Sequence, residues 1–347
     1  MSTLVTGATG FLGSHVARLL AARGAPLRLL TRASSDTRAL AGLAAEQVIG
    51  DLRDTASLAA ALRGIRTVFH VAADYRLWSR NPRELYDSNV AGTRNLLHAA
   101  RQAGVEKLIY TSTVATMAVH RPGLLPDESV DARLDEMIGH YKRSKYLAEQ
   151  EAMNAARAGL PVVVVNPTAP VGPGDWKPTP TGKIVVDFLQ GAMPAYLDTG
   201  LNIVPVEDCA AGHLLAAEKG KIGERYILGG ENLTLKEILD KLAAASGRPA
   251  PRIRMPHAVA FVAACVGTAV ARLLGREPQI PLDGVRMARH KMWVDDSKAR
   301  RELGFRPGSA DAALERAARW YVENGYIAAR GYALPPFDAV PATRKRA

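Results

Sequence analysis

Apolar and polar residues follow two different spacings in the first half of the chain. Short apolar runs rich in β-branched residues, which are typical of buried strands, occupy residues 4–6, 27–31, 47–49, 67–71, 107–111 and 162–166. Between the first two, Leu12, Val16, Leu19 and Leu20 share one face of a helix, and Gly24 follows as a stop signal. Further helices are predicted at 55–62, 82–103 and 139–157. This strand–helix repetition predicts an α/β fold with a doubly wound parallel sheet.

The pattern changes after Asn166, where a loop-rich stretch, "NPTAPVGPGDWKPTPTGK", interrupts it. Later elements are mixed: a strand at 225–228 and helices near 208–219, 235–246, 258–271, 297–303 and 310–324. We therefore predict a doubly wound Rossmann domain over 1–168 and a smaller mixed α/β domain over 169–330. Segments of the second domain are expected to return to the first sheet. Residues 331–347 are predicted to form a loosely ordered tail.

The composition is that of a globular protein with a basic surface. Hydrophobic residues make up 48% of the 347 positions and charged residues 23%, which excludes a disordered chain. The net charge is +11, but the 45 lysines and arginines are dispersed and no recognition module is present, so a nucleic-acid partner is not expected. The positive charge suits an anionic cofactor, substrate or membrane surface instead.

Cysteine usage and the start of the chain suggest a cytoplasmic protein without a metal site. Cys209 and Cys265 fit no metal-binding spacing and are expected to be two buried thiols. The opening "MSTLVTG" leads directly into the first strand with no signal peptide, which predicts a cytoplasmic location.

Residues 258–271 form an apolar stretch without a charged side chain. A membrane span needs about 20 apolar residues, so this stretch is too short. It is predicted to be a buried helix. The alternative is a helix that rests on a membrane or lines a lipid entrance, with Arg252, Arg254, Arg272 and Arg276 meeting lipid phosphates.

Three glycines follow the first strand in "LVTGATGFLG". Gly7 ends the strand at a sharp turn, Gly10 lets a ligand approach the backbone, and Gly13 lets the helix pack against the strand. Backbone N–H groups at the start of that helix favour a phosphate. A glycine loop between a strand and an amphipathic helix predicts a site for the pyrophosphate of a dinucleotide.

The end of the second strand indicates which dinucleotide is bound. An acidic residue there would accept hydrogen bonds from the ribose of NAD, but "LLTRASSDTR" offers Thr31 and Arg32, with Arg38 nearby. Asp36 comes late in the loop for that role. A guanidinium suits a 2′-phosphate, so NADP is predicted as the cofactor, with NAD as the alternative.

A tyrosine and a lysine four residues apart, Tyr141 and Lys145 in "GHYKRSKYLAEQE", share one helix face. A phenol is a poor base at neutral pH, and a nearby ammonium together with a positive nicotinamide is expected to lower its pKa. Tyr141 would then exchange a proton with an alcohol or carbonyl while hydride moves. Lys145 would also hold the nicotinamide ribose.

The G-x-x-G-x-x-G loop and the Tyr-x-x-x-Lys pair resemble the extended short-chain dehydrogenase/reductase superfamily, in its branch of nucleotide-sugar epimerases and dihydroflavonol-reductase-like enzymes. The similarity extends from "TGATGFLG" to "KARRELGFRP". Within that branch, "HVAADYRLW", "GHYKRSKYLAEQ", "KPTPTGKI", "AYLDTGLN" and "ERYILGGENLTL" resemble the hopanoid-associated sugar epimerases. Relatives often dimerise through a four-helix bundle, so the resemblance also implies a homodimer.

The resemblance assigns roles residue by residue. Thr113 takes the position of the catalytic hydroxyl, with Ser112 as the alternative, and Asn89 matches an asparagine that braces the active-site helices. Beside the glycines, Arg32, Tyr141 and Lys145, it implies that the cofactor is contacted by Phe11, Leu12, Asp51, Leu52, Ala72, Ala73, Pro167 and Thr168. The substrate is expected to meet Tyr75, Trp78, Thr113, Lys183 and Asn202, and Lys177 and His140 are further candidates. No metal is expected.

The implied activity is that of an NAD(P)-dependent oxidoreductase or epimerase. It would act on a hydroxyl or carbonyl of a sugar or sugar-like head group in hopanoid biosynthesis. An NADP-type site favours simple reduction, so a dihydroflavonol-reductase-like ketone or aldehyde reductase is the alternative. A dehydratase fits less well because "TSTVATM" lacks an acidic residue. The alternative that is not an enzyme is a non-catalytic subunit that binds the cofactor. Contact with a membrane is expected to be peripheral.

Overall fold

The computed structural model describes residues 2–117, 123–278 and 280–327. Its strands are β1 (Thr3–Thr6), β2 (Leu27–Thr31), β3 (Glu46–Ile49), β4 (Thr67–His70), β5 (Lys107–Thr111), β6 (Val162–Pro167), β7 (Ala169–Val171), β8 (Ala195–Tyr196), β9 (Gly200–Pro205), β10 (Arg225–Leu228), β11 (Glu231–Thr234), β12 (Ile253–Arg254) and β13 (Lys291–Met292). Its α-helices are α1 (Phe11–Ala22), α2 (Thr55–Ala61), α3 (Arg83–Tyr86), α4 (Gly92–Gln102), α5 (Gly139–Arg157), α6 (Pro180–Leu189), α7 (Val206–Lys219), α8 (Leu235–Ser246), α9 (His257–Leu273), α10 (Leu282–Met287), α11 (Ser297–Leu303) and α12 (Ala310–Glu323).

A seven-stranded sheet in the order β10-β6-β5-β4-β1-β2-β3 forms the centre of the fold, and all its strand pairs are parallel. The direction of winding reverses between β1 and β4, which opens a crevice at the carboxyl ends of these two strands. The predicted doubly wound parallel sheet is confirmed.

Both faces of this sheet are covered by helices. On one face, α1, α7 and α11 contribute Val16, Leu214 and Leu303 to a buried cluster against the strands. On the other face, α2, α4 and α5 contribute Leu58, Leu96 and Ala148. This burial on two sides explains why strands such as β6 are continuously apolar.

The later part of the chain builds a second, mixed layer. In it β9 pairs with β11, β13 and β7, and a separate cluster of buried residues joins α6, α8 and α12 through Val185, Leu239 and Leu314. The strand β10, in contrast, joins the main sheet beside β6. A late segment does therefore return to the first sheet.

Several predicted elements need correction. The helix expected over 82–103 is broken into α3 and α4 by a π-helical turn at Asp87–Ala91. The stretch expected to be a loop contains β7 and the start of α6, where the Thr179 side chain caps the helix and Pro180 occupies its first turn. The strand expected over 67–71 ends at His70. The predicted tail at 331–347 lies outside the described residues.

The helix α9 is not buried, contrary to the prediction for residues 258–271. Its small residues Ala260, Ala264 and Ala271 face inward, while Val262, Val266 and Leu273 are 61%, 59% and 88% exposed. The small residues on the inner face let α9 pack closely against α10. The larger apolar side chains lie on the outer face, where they are exposed. Cys265 on this helix is partly exposed, whereas Cys209 is buried. Among the helices described, none has both the length and the apolar character needed to cross a membrane.

Candidate active site

A cavity of about 1070 Å³ lies at the crevice between β1 and β4. Its walls include residues that follow β1, β2, β4, β5 and β6, together with residues of α5, α6 and α10. The carboxyl ends of parallel strands at a reversal of winding are the usual site for a dinucleotide. The volume exceeds that of an ordinary small-molecule pocket, which leaves room for a second molecule beside a cofactor.

The glycine loop forms one wall of the cavity. A Cβ atom on Gly7 would lie 2.5 Å from the backbone nitrogen of Ala72, and one on Gly13 would lie 2.1 Å from the carbonyl oxygen of Gly7. Gly7 also has a φ of +74°. No side chain caps the N-terminus of α1 and no acidic residue lies in its first turn. Gly7, Gly10, Phe11, Leu12 and Gly13 all line the cavity, and an uncapped helix end of this kind can donate hydrogen bonds to a pyrophosphate.

The loop after β2 brings Arg32 to the cavity wall, where its side chain is exposed. Arg38 is bound to Asp36, with 2.6 Å between the guanidinium and the carboxylate, and lies 4.9 Å over the ring of Trp176. The Arg38 guanidinium and the Asp36 carboxylate are therefore paired with each other. Arg32 forms no ion pair with any residue in the described part of the chain.

Two further residues that were predicted to contact the cofactor lie on the loop after β3. Asp51 and Leu52 line the cavity, and Arg53 is 2.7 Å from the Asp51 carboxylate. Hydrogen bonds from Arg53, aided by the charges of Arg53 and Arg32, lower the pKa of Asp51 to about 2. Asp51 is thus an anion throughout the physiological range.

The loop after β4 contributes Ala72 and Ala73, both of which line the cavity. His70 does not line it, because its ring lies buried between Thr6, at 2.8 Å, and Thr93, at 3.0 Å. Burial, with a smaller effect of Lys145, lowers the pKa of His70 to about 3. A neutral imidazole therefore ties β4 to β1 and α4 beneath the crevice.

Tyr141 and Lys145 both reach the cavity from the first turns of α5. Burial raises the pKa of the Tyr141 phenol, and a hydrogen bond with Thr113 acts in the opposite direction. The predicted lowering of this pKa by Lys145 is therefore not found in the protein alone. The positive nicotinamide, the other half of that prediction, belongs to the cofactor-bound state.

Lys145 is held by the strand behind it. Its Nζ donates hydrogen bonds to the Thr111 carbonyl at 2.8 Å and to the Tyr110 hydroxyl at 3.3 Å. Burial lowers the pKa of Lys145 to about 8. Two of the three ammonium protons are used in this way, which leaves one for a group in the cavity.

Thr113 and Ser112 differ in how free their hydroxyls are. Ser112 Oγ donates a hydrogen bond to the buried carboxylate of Glu149. Thr113 caps a short 3₁₀ turn at Val114–Thr116 and lies against Tyr141. The geometry thus favours Thr113 over Ser112 as the hydroxyl that meets substrate.

Glu149, which sequence reasoning missed, joins the ends of three strands. Its carboxylate accepts hydrogen bonds from Thr116 Oγ1 at 2.9 Å and Asn166 Nδ2 at 2.8 Å, besides Ser112, and lies 3.3 Å from Arg225 on β10. Glu149 lies four residues after Lys145, as Lys145 lies four residues after Tyr141. All three side chains therefore share one face of α5, and this spacing was the signal in the sequence.

Asn89 lies in the π-helical turn and connects two parts of the site. Its Nδ2 donates to Ser144 Oγ of α5 and to the Asp74 carbonyl, both at 2.9 Å, and its Oδ1 accepts from the Asp74 backbone nitrogen at 2.7 Å. The turn supplies the extra residue that aims this side chain between the helices. Asn89 thus braces α5 against the loop after β4.

The predicted substrate residues separate into two groups. Tyr75 and Thr113 line the cavity, as do the predicted cofactor residues Pro167 and Thr168, but Trp78, Lys183 and Asn202 do not. Lys183 is paired with Asp187 at 2.8 Å on the outer face of α6. Asn202 is buried and joins β9 to the β10–β11 turn through Gly230 and to β11 through Asn232. Of the two further candidates, Lys177 lines the cavity but His140 does not.

Part of the cavity lining is apolar. This part includes Leu77, Ile184, Leu197, Leu201, Met287 and Met292. Lys142, a buried lysine that sequence reasoning also missed, lines the same cavity. In residues 2–117, 123–278 and 280–327, no cluster of three histidine, cysteine, aspartate or glutamate side chains could hold a metal ion.

Comparisons with known proteins agree with this geometry. Residues 3–229 match the NAD dependent epimerase/dehydratase family. A dihydroflavonol 4-reductase-like protein of Synechocystis sp. is 46% identical over 93% of this chain and 95% of its own length. Sterol demethylase protein B of Methylococcus capsulatus is 38% identical over 94% of this chain and 100% of its own. The crystal structure of a nucleoside-diphosphate-sugar epimerase from Pseudomonas aeruginosa, 32% identical, superposes with a TM-score of 0.78 over 94% of this chain and 99% of that one.

Proposed function

Since the chain belongs to the NAD-dependent epimerase/dehydratase family of extended short-chain dehydrogenases, we propose that it oxidises or reduces a hydroxyl or carbonyl on the polar head of a lipid. The observation that carries this proposal is the contrast within one cavity. Thr113, Tyr141 and Lys145 lie beside a large chamber lined by Leu197, Met287 and other apolar side chains. Such a chamber suits a ring system or chain with one reactive oxygen better than a free sugar.

The residues divide the reaction between them. A bound nicotinamide supplies or accepts hydride. Tyr141 exchanges the proton with the substrate oxygen, Thr113 donates a hydrogen bond to the same oxygen, and Lys145 holds the ribose with its remaining ammonium proton. Glu149 and Asn89 are positioning residues. Glu149 holds the ends of β5 and β6 beside α5, and Asn89 holds α5 against the loop after β4. Proton transfer of this kind contributes about 10²- to 10⁴-fold to the rate.

The cofactor that we propose is NADP. Arg32 supports this, because it is the cation at the cavity wall beyond β2 that has no carboxylate partner among the described residues, while Asp36 is bound to Arg38. A free guanidinium can bind a 2′-phosphate with two parallel hydrogen bonds.

The substrate class within this proposal is a hopanoid-type lipid with a sugar-derived head, on the strength of the sequence resemblance. Net reduction of a ketone or aldehyde, as in dihydroflavonol-reductase-like enzymes, is the second candidate, and the apolar chamber favours it. Epimerisation would require the substrate to turn over within the chamber while the reduced cofactor stays bound.

We also propose that α9 rests on an anionic lipid surface. Its outer face presents Phe261, Val262 and Val266, and the exposed Arg252 and Arg272 lie near its two ends without an ion pair to any described residue. Apolar side chains framed by cations complement a layer of acyl chains under phosphates. The inner face packs against Leu282 and Val285 of α10, and other residues of α10 line the cavity. A lipid substrate would therefore have a short path to the site.

The Tyr141→Phe variant tests the catalytic role. We expect NADPH to bind normally while turnover falls at least 100-fold, because the phenolic proton is lost and the ring is kept. Tyr146→Phe is the matched control: it lies on the same helix, but its hydroxyl donates to the Ala132 carbonyl away from the cavity.

The same variant identifies the reaction when it is placed in the source organism and its lipids are analysed by mass spectrometry. An accumulated intermediate that differs from the next product by two hydrogens means oxidation or reduction, and one of equal mass means epimerisation. Unchanged lipids would refute the hopanoid role. A screen of carbonyl compounds with NADPH and the purified protein then tests the second candidate.

A further inference from the structure

Lys142 is a buried lysine without a counter-charge among the residues that the structure describes. It follows Tyr141 on α5, is only 6% exposed and lines the cavity. It forms no hydrogen bond or ion pair with any residue in the described part of the chain. Burial alone lowers the pKa of Lys142 to about 8, with no neighbouring carboxylate to offset it, so the side chain is still mainly protonated at neutral pH.

The other cations at the cavity are accounted for. Lys145 is hydrogen-bonded to Thr111 and Tyr110, and Arg76 is paired with Asp74 and Glu84. Arg32 and Lys177, which also line the cavity, are exposed to solvent. A carboxylate near this part of α5 is also paired. Asp283 on α10 lies close to Gly139 at the start of α5, and its carboxylate is 3.3 Å from the guanidinium of Arg286.

An unpaired buried ammonium is costly, and buried charges in proteins normally have partners. Lys142 lines the same cavity as the Tyr141 phenol, and the lining also includes apolar side chains such as Leu197 and Met287. A partner for its charge can therefore enter with the substrate. One ammonium balances one carboxylate, whereas a phosphate dianion would need further donors, and none of the remaining buried cations of the described wall is free.

We propose that Lys142 binds a carboxylate of the substrate close to the hydroxyl or carbonyl that reacts. The substrate is then an apolar hydroxy acid or oxo acid, and its reactive oxygen meets Tyr141 while its carboxylate meets Lys142. This inference rests on the proposed oxidoreductase function and narrows its substrate class.

Matched probes test the proposal in the NADPH-loaded enzyme. The probes are 3-oxododecanoate and its methyl ester, and binding is followed by the change in NADPH fluorescence. We expect the native enzyme to bind the acid at least about tenfold more tightly than the ester, because a charge-assisted hydrogen bond is lost in the ester. The Lys142→Met variant should bind the two probes equally, and Lys142→Arg should keep the preference.

Two controls separate this site from general effects of charge and folding. Lys183→Met removes the same charge at the ion pair with Asp187 outside the cavity, and should keep the preference for the acid. Lys142→Met should melt at a higher temperature than the native enzyme, because an unpaired buried charge is removed. A lysine with a merely structural role would give a lower melting temperature.

The possible results decide between the two proposals. Equal binding of acid and ester by the native enzyme, or no binding of either, would overturn the carboxylate site. A preference that survives in Lys142→Met would overturn it as well. Binding of the acid without oxidation of NADPH would leave the carboxylate site standing and count against the reductase function.

Discussion

At Gly13 the packing of the phosphate loop leaves no room for one more methyl group. The Cβ atom of any other residue would lie 2.1 Å from the carbonyl oxygen of Gly7 and 2.7 Å from its carbonyl carbon. Both are backbone atoms of the loop that would hold the pyrophosphate, so relief of the clash must move the loop itself. The glycine is required by contact with the backbone, since Gly13 does not have a positive φ.

We expect Gly13→Ala to weaken dinucleotide binding at least tenfold and to lower the melting temperature, as titration calorimetry and thermal unfolding would measure. Gly267→Ala is the control. Gly267 lies within α9 with nothing within 4 Å of its added Cβ, so alanine there should stabilise the protein by about 0.5–1 kcal/mol. Unchanged cofactor affinity in Gly13→Ala would contradict the assignment of this loop.

Arg32 decides the choice between the two dinucleotides if the proposed cofactor is correct. Arg32→Ser should lose at least about tenfold in affinity for NADPH and little for NADH, because only the former carries a 2′-phosphate for the guanidinium to bind. Dissociation constants for both cofactors measure this, with Arg63→Ser as a control at an exposed position away from the cavity. Equal losses of affinity for NADPH and NADH would show that Arg32 does not bind the 2′-phosphate.

Among the elements, α9 has the most unusual packing. Alanines occupy its buried face, and valines, phenylalanine and leucine occupy its exposed face, the reverse of an ordinary surface helix. Exposed apolar faces of this kind mark contacts with other molecules.

The double variant Val262→Glu/Val266→Glu tests the lipid contact. We expect the native protein to float with vesicles that contain phosphatidylglycerol and the variant to remain behind, while both keep the same melting temperature because the two side chains are exposed. Ile222→Glu, at a 59% exposed isoleucine outside α9, is the matched control and should still float. A native protein that binds no vesicle would refute the proposal. A variant that changes only the oligomeric state would assign the face to a second copy.

The elements that the sequence predicts well are those whose pattern is local. The strands at 27–31 and 107–111 and the helix at 139–157 have the predicted bounds, because β-branched runs and helical spacing depend on neighbours along the chain. The two-residue strands β8, β12 and β13 exist only through their partners and leave no pattern. The orientation of α9 was also hidden, since apolar residues lie on all its faces and only their size distinguishes inside from outside.

The same limit applies to the site. Tyr141, Lys145 and the glycines follow from short spacings, and the cavity brings them together. Lys183 and Asn202 were expected to reach the substrate, but their direction depends on where α6 begins and how β9 pairs with β11. Lys142 and Glu149 resemble surface charges in the sequence, and only the packing of α5 against the sheet shows that they are buried.

For the molecule as a whole, two buried neutral histidines make stability depend on pH. Burial lowers the pKa of His70 to about 3 and of His213 to about 4, from an ordinary value of 6.5. The unfolded chain therefore binds protons more readily than the folded one between pH 6.5 and those values. Their contribution to stability is full above pH 6.5 and is lost as the pH falls below it.

We expect the free energy of unfolding to fall below pH 6.5 by up to about 1.4 kcal/mol per pH unit for each of these histidines. Urea titrations at several pH values would measure the slope. His213→Gln should reduce it, and His98→Gln, at an exposed position, should not. A stability that does not change between pH 7 and 5 would contradict the burial of neutral imidazoles. The homodimer implied by the resemblance stays a prediction. Analytical ultracentrifugation of the native protein without urea would test it.

The edge of the main sheet is completed by β10, which pairs with β6 but is made much later in the chain. Until β10 arrives, β6 offers an open backbone edge along four consecutive valines. At a synthesis rate of about 5–20 residues per second, the nascent chain carries this unsealed edge for several seconds. A fragment that stops near residue 168 would contain the glycine loop and the helix with Tyr141 and Lys145. The edge of its β6 strand would remain unpaired and could pair with another copy of the fragment. We therefore expect the solubility of the first half during synthesis to depend on a strand that the second half supplies.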